Sequence, residues 1–184
     1  SFNGIKGTYD VVRGAAVVRS IPKSTKGAIT IPSKLGGYPV KAIAGQNSKN
    51  GVGAFGNCSK LTSITIPSSV VAIGTRSFYN CSKLKKITFL GNHPYFEFDY
   101  SINNYSHYIR YGAETFEKIP SSCIVYIPKG RDWSKWVSDL KSRVRHVKYS
   151  TTYYVTFNAN GGKGKMTKQS ITYGKAVKLK KNSF

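Results

Sequence analysis

The chain has 184 residues, of which 40% are hydrophobic and 13% aromatic, which is enough for a packed core and excludes a wholly disordered chain. Its 29 Lys and Arg against 7 Asp and Glu give a formal net charge of +22. No apolar run approaches the roughly 20 residues needed to cross a bilayer, so we expect no membrane span. No signal peptide is recognisable and the chain starts at Ser1, which indicates a mature or excised piece of a longer protein.

The first recognisable element is residues 28–43, AITIPSKLGGYPVKAI, which is similar to SITIPSSVVAI at 63–73. Both stretches pair a short alternating strand with a second extended stretch. The earlier one carries extra residues at Gly36 to Pro39, which indicate a turn between strands.

Residues 54–66 (AFGNCSKLTSITI) and 77–89 (SFYNCSKLKKITF) repeat at an offset of 23. The first copy has the spacing L-x-x-I-x-I, and Phe89 takes the last of these positions in the second copy. This spacing predicts a strand in which alternate side chains face opposite ways. Ile64 and its equivalents would then point inward, and a proline such as Pro67 would end the strand. One such unit cannot bury its apolar face alone, so the units must stack as a solenoid.

Residues 93–112 are predicted to be an insertion that breaks the repeat. Seven of residues 93–111 are aromatic, interleaved with Ser and Asn, a composition typical of adaptable binding loops. A binding role is therefore a candidate for Tyr100, Tyr105 and Tyr108. The alternative is that the rings, Phe96 and Phe98 above all, pack the insertion onto the solenoid as a local second core.

The repeat returns after the insertion. Residues 123–130 read CIVYIPKG, and Ala113 and Phe116 upstream are a degenerate copy of Ala54 and Phe55. We therefore predict four strand copies, at 29–31, 64–66, 87–89 and 125–127.

The pattern AF-x-x-C-x-x-L-x-x-I-x-I-P resembles the BspA-like leucine-rich repeats of bacterial surface proteins. The match is close in 54–89 and recognisable in 28–43 and 113–130. The resemblance implies a mainly β leucine-rich-repeat solenoid over residues 1–150, with short parallel strands and return segments. It also implies a secreted or cell-surface location, adhesion or partner binding in some members, and no catalysis.

A capping helix is predicted at about 132–146. Its apolar side chains recur at i, i+3, i+4, i+7 and i+11: Trp133, Trp136, Val137, Leu140 and Val144. A solenoid needs such an end cap to cover its last core layer. A basic helix lying on a membrane surface is the rival interpretation.

Residues 151–184 are predicted to form a small partial β module. Residues 153–157, 171–173 and 176–179 are expected to be strands, with a turn at Asn160 to Gly162. The motif VTFNANGG, followed by G-x-M and TYG, resembles the start of a Listeria–Bacteroides repeat, a module found in tandem on bacterial surface proteins. The family module is about twice as long.

No catalytic, cofactor or metal site is predicted. The three cysteines lack metal-ligand spacing, and among the seven acidic residues Glu114 and Glu117 are the only close pair of glutamates. Cys58 and Cys81 would lie near one another in stacked repeats, where a disulfide is conceivable. Buried thiols are favoured.

The primary functional hypothesis is a non-catalytic, monomeric binding module. A host or matrix protein or a glycan would contact the outward residues of the strand ladder: Thr30, Ser63, Thr65, Lys86, Thr88 and Tyr126. Binding of a polyanion such as glycosaminoglycan, teichoic acid or nucleic acid through the lysine excess is an alternative, as is a purely structural spacer. Because the lysines are dispersed along the chain, a solvated surface with loose affinity for polyanions is the simpler interpretation of the charge.

Overall fold

The computed structural model describes residues 4–46, 51–96, 113–129, 133, 137, 141, 144–150, 152–155 and 169–172. The chain divides into two compact units, Ser1–Tyr149 and Ser150–Phe184, and each is described by itself. The fold is mainly β, as predicted. No helix in the described ranges is both long and apolar enough to cross a membrane.

The first unit contains two sheets. Sheet A has the order β11–β10–β8–β6–β3 and sheet B the order β1–β2–β5–β7–β9, with β4 paired to β5. The strands are, in chain order, β1 (Thr8–Val12), β2 (Ala15–Ser20), β3 (Lys26–Thr30), β4 (Lys34–Leu35), β5 (Tyr38–Ile43), β6 (Lys60–Ile66), β7 (Ala72–Ile73), β8 (Lys86–Phe89), β9 (Tyr95–Phe96), β10 (Ile124–Pro128) and β11 (His146–Ser150). A 3-10 helix, Ala113–Phe116, precedes β10.

Sheet A carries the four predicted strand copies, and the prediction is confirmed. Strands β3, β6, β8 and β10 pair parallel, and Ile64 lies opposite both Ile29 and Ile87. Their inward side chains are buried in one core: Ile29, Leu61, Ile64, Ile66, Leu84, Ile87, Phe89, Val125 and Ile127. The alternation of inward aliphatic and outward polar residues therefore fixes which face of sheet A meets solvent.

The return segments between the sheets stack their phenylalanines. The Phe78 ring lies between Phe55 (centroids 5.4 Å apart) and Phe116 (5.7 Å), with planes nearly parallel. This confirms Phe116 as the equivalent of Phe55 and Phe78. Residues 51–58, 74–81 and 113–119 thus cover the side of the core that the sheets leave open.

The residue two places after each stacked phenylalanine has a left-handed backbone conformation. Asn57, Asn80 and Lys118 have φ of 62°, 55° and 59°. Asn tolerates this conformation better than most residues, and the Asn80 side-chain amide also donates to the Asn57 side chain at 3.0 Å. The Asn of the repeated Asn-Cys pair is therefore explained by its backbone conformation.

Sheet B contains the second extended stretch of each repeat. Strands β2, β5, β7 and β9 pair parallel, while β4 and β5 form the expected hairpin through Gly36 and Gly37, both with positive φ. The β1–β2 hairpin, which was not predicted, extends this sheet at its first edge.

The prediction that the repeat is absent from residues 93–112 is wrong at its start. Tyr95 and Phe96 form β9 and lie opposite Ala72 and Ile73, again at an offset of 23. A ladder needs only backbone groups, so the repeat continues here although its side-chain pattern has gone. Residues 97–112, with Phe98 and the candidates Tyr100, Tyr105 and Tyr108, lie outside the described residues.

The predicted capping helix lies largely outside the described residues. Of residues 131–143 the structure describes Trp133, Val137 and Lys141, the last two in helical conformation. Trp133 is fully buried, donates from Nε1 to the carbonyl oxygen of Gly91 at 2.8 Å and contacts Phe89 at 5.0 Å between ring centroids.

The expected end of that helix at about 146 is wrong. Val144 is not helical, and His146 begins β11, which pairs with β10. Val144 is buried in the core, so its apolar character, which matched the helical period, is explained by the turn into β11.

The second unit contains an antiparallel pair, β12 (Thr152–Val155) and β13 (Gln169–Thr172). Thr152 lies opposite Thr172, and Val155 lies opposite Gln169. These strands overlap the expected strands at 153–157 and 171–173. The turn at Asn160 to Gly162 and the strand at 176–179 lie outside the described residues.

Candidate binding surface

The outward residues of sheet A form rows across the strands. The first row, which we call the threonine row, has one residue on each strand from β3 to β10, each opposite the next: Thr30, Thr65, Thr88 and Tyr126. Neighbouring strands are about 4.8 Å apart. Thr30 is exposed and the other three are half-buried, so all four residues reach the surface.

A second row runs beside the first, through Ala28, Ser63, Lys86 and Ile124. The Lys86 ammonium lies 5.8 Å from the centroid of the Tyr126 ring, within the range of a cation–π contact. The structure thus brings together all six of the predicted ladder residues. Their role in binding stays a prediction.

A third row consists of lysines at the amino ends of β3 and β6 and in the turn before β8, and it was not predicted from the sequence. Lys26 lies opposite Lys60, and Lys83 occupies the position of Lys60 one repeat later. The equivalence follows from matching hydrogen bonds, because the N–H groups of Leu61 and Leu84 donate to Cys58 and Cys81 at 3.0 Å each. All three lysines are exposed, and we call them the lysine row. The available signal was the 23-residue offset, which aligns Lys60 with Lys83 although they are far apart along the chain.

The described acidic side chains lie elsewhere and have basic partners. Asp10 on β1 accepts from Arg19 Nε at 2.6 Å. Glu114 and Glu117 lie 3.6 and 3.8 Å from Arg76. Strands β3, β6, β8 and β10 contain no Asp or Glu, so the exposed face of sheet A is cationic and hydroxylic.

A smaller basic cluster surrounds Tyr79 on the return segments. The guanidinium of Arg76 and the ammonium of Lys118 lie 4.7 and 4.9 Å from the ring centroid. Lys118 also donates to the Tyr79 hydroxyl at 2.5 Å, a hydrogen bond that raises the pKa of the lysine. These contacts are explained by packing between repeats, with Arg76 also facing both glutamates.

The cysteines are free, buried thiols. Burial raises the pKa of Cys81 to about 12 and that of Cys123 to about 11, and it also raises the pKa of Cys58. The Cys81 thiol donates to the carbonyl oxygen of Phe55 at 3.0 Å. Since the thiolate is the nucleophile, these residues are inert packing groups.

The described residues include no group of three or more His, Cys, Asp or Glu side chains that could hold a metal ion. The charged clusters described above are ion pairs and cation–π contacts between basic, acidic and aromatic side chains. The chemistry that this surface offers is therefore hydrogen bonding, cationic attraction and aromatic contact.

One known repeat family agrees with this architecture. Residues 43–128 match the BspA type leucine rich repeat region, in six copies. No curated protein matches the chain. A leucine rich cell surface protein from Faecalibacterium prausnitzii A2-165, solved by crystallography, is 28% identical over 51% of this chain, with a TM-score of 0.35. The chain spans 24% of the length of that protein.

Proposed function

We propose that this chain, whose residues 43–128 are BspA-type leucine-rich repeats, is a non-catalytic binding module of a bacterial secreted or cell-surface protein. The observation that carries the proposal is the threonine row, four outward residues held in register by parallel strands. A host or matrix protein or a glycan would lie across this row, and the module would act as a monomer.

The rigidity of the platform supports this role. The outward side chains sit on strands whose inward neighbours are fully buried, so their spacing is fixed before a partner arrives. A preorganised surface loses less conformational entropy on binding than a flexible one. Tyr126, at the end of the row, supplies aromatic contact area of the kind that dominates many interfaces.

Two further assignments belong to the proposal. The helix at 132–146, shortened to end before Val144, would cap the solenoid. The buried Trp133 against Phe89 supports this, because it covers the core beside β8. Residues 151–184 would be the start of a Listeria–Bacteroides repeat, a partner module that continues the surface protein.

Substitution of Tyr126 tests the proposal. We expect Tyr126→Ala to weaken binding to an immobilised extracellular-matrix protein by about tenfold, the effect of removing one aromatic anchor. Tyr38→Ala is the matched control, since Tyr38 is 43% exposed but lies on sheet B. Equal affinities for Tyr126→Ala and the wild type, measured by surface plasmon resonance with thermal melts unchanged, would contradict a role for this face.

Polyanion binding is the second candidate function. The lysine row favours it, because that row concentrates positive charge at one margin of the same face. Such binding would weaken steeply as salt concentration rises, since it releases condensed counterions.

A further inference from the structure

The lysine row exists only in the folded chain, because its members are far apart in the sequence. Lys26, Lys60 and Lys83 come from three successive coils. The parallel register pairs Lys26 with Lys60, and Lys83, in the turn before β8, follows Lys60 at the repeat offset of 23. Lys85 and Lys86 follow in the third coil, also exposed, and widen the charged margin. The five lysines therefore concentrate positive charge near the amino ends of β3, β6 and β8, and we call them the cationic track.

No described acidic side chain forms an ion pair with this track. Asp10, Glu114 and Glu117 are placed against arginines in other parts of the first unit. Like charges directly opposite on neighbouring strands repel each other and destabilise the sheet. An anionic ligand would relieve that repulsion, so binding and folding are coupled.

Hydroxyl groups lie beyond the lysines on the outer face of sheet A. Ser63 and the threonine row lie on the same face. Thr30 follows Lys26 by four positions, which is about 13 Å at about 3.3 Å per residue. Within this distance the surface offers ammonium groups first and hydroxyl groups after them. A ligand that combines anionic groups with hydroxyls matches both rows.

We propose that the lysine row and the threonine row together bind a linear anionic polysaccharide, with its sulfate or carboxylate groups on the lysines and its sugar hydroxyls on the threonines. This inference rests on the proposed function and names the ligand class for the same face. Strands β3, β6, β8 and β10 contain no arginine, and Tyr126 is their one outward aromatic side chain. Nucleic-acid surfaces rely on arginine and on several stacking rings, so this face favours a polysaccharide.

Matched double variants of the full chain test the charge. We compare Lys60→Gln/Lys83→Gln with Lys34→Gln/Lys41→Gln, which removes the same charge from exposed sites on β4 and β5. The ligands are heparin, as the sulfated form, and hyaluronan, as the carboxylated form, with neutral dextran as a blank. We expect the first variant to bind at least tenfold more weakly and its slope of log affinity against log salt to fall by about 1.5. The second variant should change affinity by less than threefold.

A hydroxyl variant separates polysaccharide from nucleic acid. Thr65→Val/Thr88→Val keeps side-chain shape and charge and removes two hydroxyls. It should weaken heparin binding severalfold and leave binding to duplex DNA unchanged. Thermal unfolding gives a second measurement that does not depend on an immobilised ligand. Heparin should raise the melting temperature of the wild type more than that of Lys60→Gln/Lys83→Gln.

Three results would overturn the inference: equal losses in the two lysine variants, which indicate diffuse charge; DNA binding as tight as heparin binding and equally insensitive to the hydroxyls; or no binding to either polysaccharide. Matrix-protein binding that still depends on Tyr126 would, in any of these cases, leave the proposed function standing.

Discussion

The adjacent copies at 54–66 and 77–89 and the later copy at 113–128 have the same architecture with very different sequences. Phe116 stacks on Phe78 as Phe78 stacks on Phe55. In the later copy, however, Lys118 replaces the asparagine and Ile119 replaces the cysteine. The fold therefore requires an inward ring, a residue with a left-handed backbone and a small or medium apolar side chain, in that order, more than it requires the motif itself.

The stacked ring is the requirement with the largest expected effect. Phe78→Ala should lower the free energy of unfolding by about 3–5 kcal/mol, because it leaves a cavity between two rings that cannot close on each other. Phe78→Leu, which fills most of that volume, should lose less than half as much. Urea unfolding followed by circular dichroism measures both.

Val71→Ala serves as the control, since Val71 is 47% exposed and its truncation should change stability by no more than about 0.5 kcal/mol. A loss below about 1.5 kcal/mol for Phe78→Ala would mean that the copies on either side of it are not coupled through their rings.

The left-handed residue is the second requirement. Asn80→Ala should cost about 1.5–2 kcal/mol, of which about 1 reflects the left-handed backbone and the rest the hydrogen bond to Asn57. Asn80→Gly tolerates the backbone and should lose only the smaller part. Equal destabilisation of the two variants would mean that Asn80 does not stabilise the left-handed backbone at this position. The positive φ that Asn80 shares with Lys118 would then have another cause.

Much of the solenoid could be predicted because its inward-facing positions carry a regular pattern of aliphatic side chains. The aliphatic residues at Ile64 and Ile87 and the offset of 23 identify parallel, stacked strands, and the structure confirms them. The pairing of Tyr95 and Phe96 was missed because that ladder depends on the backbone alone. The end of the helix was misplaced because Val144 fits the helical spacing of apolar residues, whereas it is buried at the turn into β11.

The candidate surface was predictable in part for the same reason. Strand alternation placed Thr65 and Thr88 on the outer face, where they lie in register. The lysine row was missed because charge was counted along the chain, where Lys26, Lys60 and Lys83 are far apart. Superimposing the coils at the repeat offset would have aligned Lys60 with Lys83, whereas Lys26 needs the bulged register between β3 and β6.

The apolar side chain after the left-handed residue is the third requirement, and its expected effect is the smallest. Burial raises the pKa of Cys81 to about 12 from an ordinary value of 9.0. The folded protein therefore keeps a proton that the unfolded chain releases. This contribution to stability is present in full below pH 9 and is lost as the pH rises from 9 towards 12, at about 1.4 kcal/mol per pH unit for this thiol.

Cys81→Ala removes that titration and keeps the position apolar. Between pH 8 and pH 10 the variant should lose about 1.4 kcal/mol less stability than the wild type, a difference obtained from urea unfolding at the two pH values. Cys123, whose pKa is raised to about 11, titrates in both proteins and cancels in the comparison. If both proteins lose stability equally, the Cys81 thiol ionises in the folded state. The position would then be open to water, and Ile119, which is packed against the core at the same place in the later copy, would not be its equivalent.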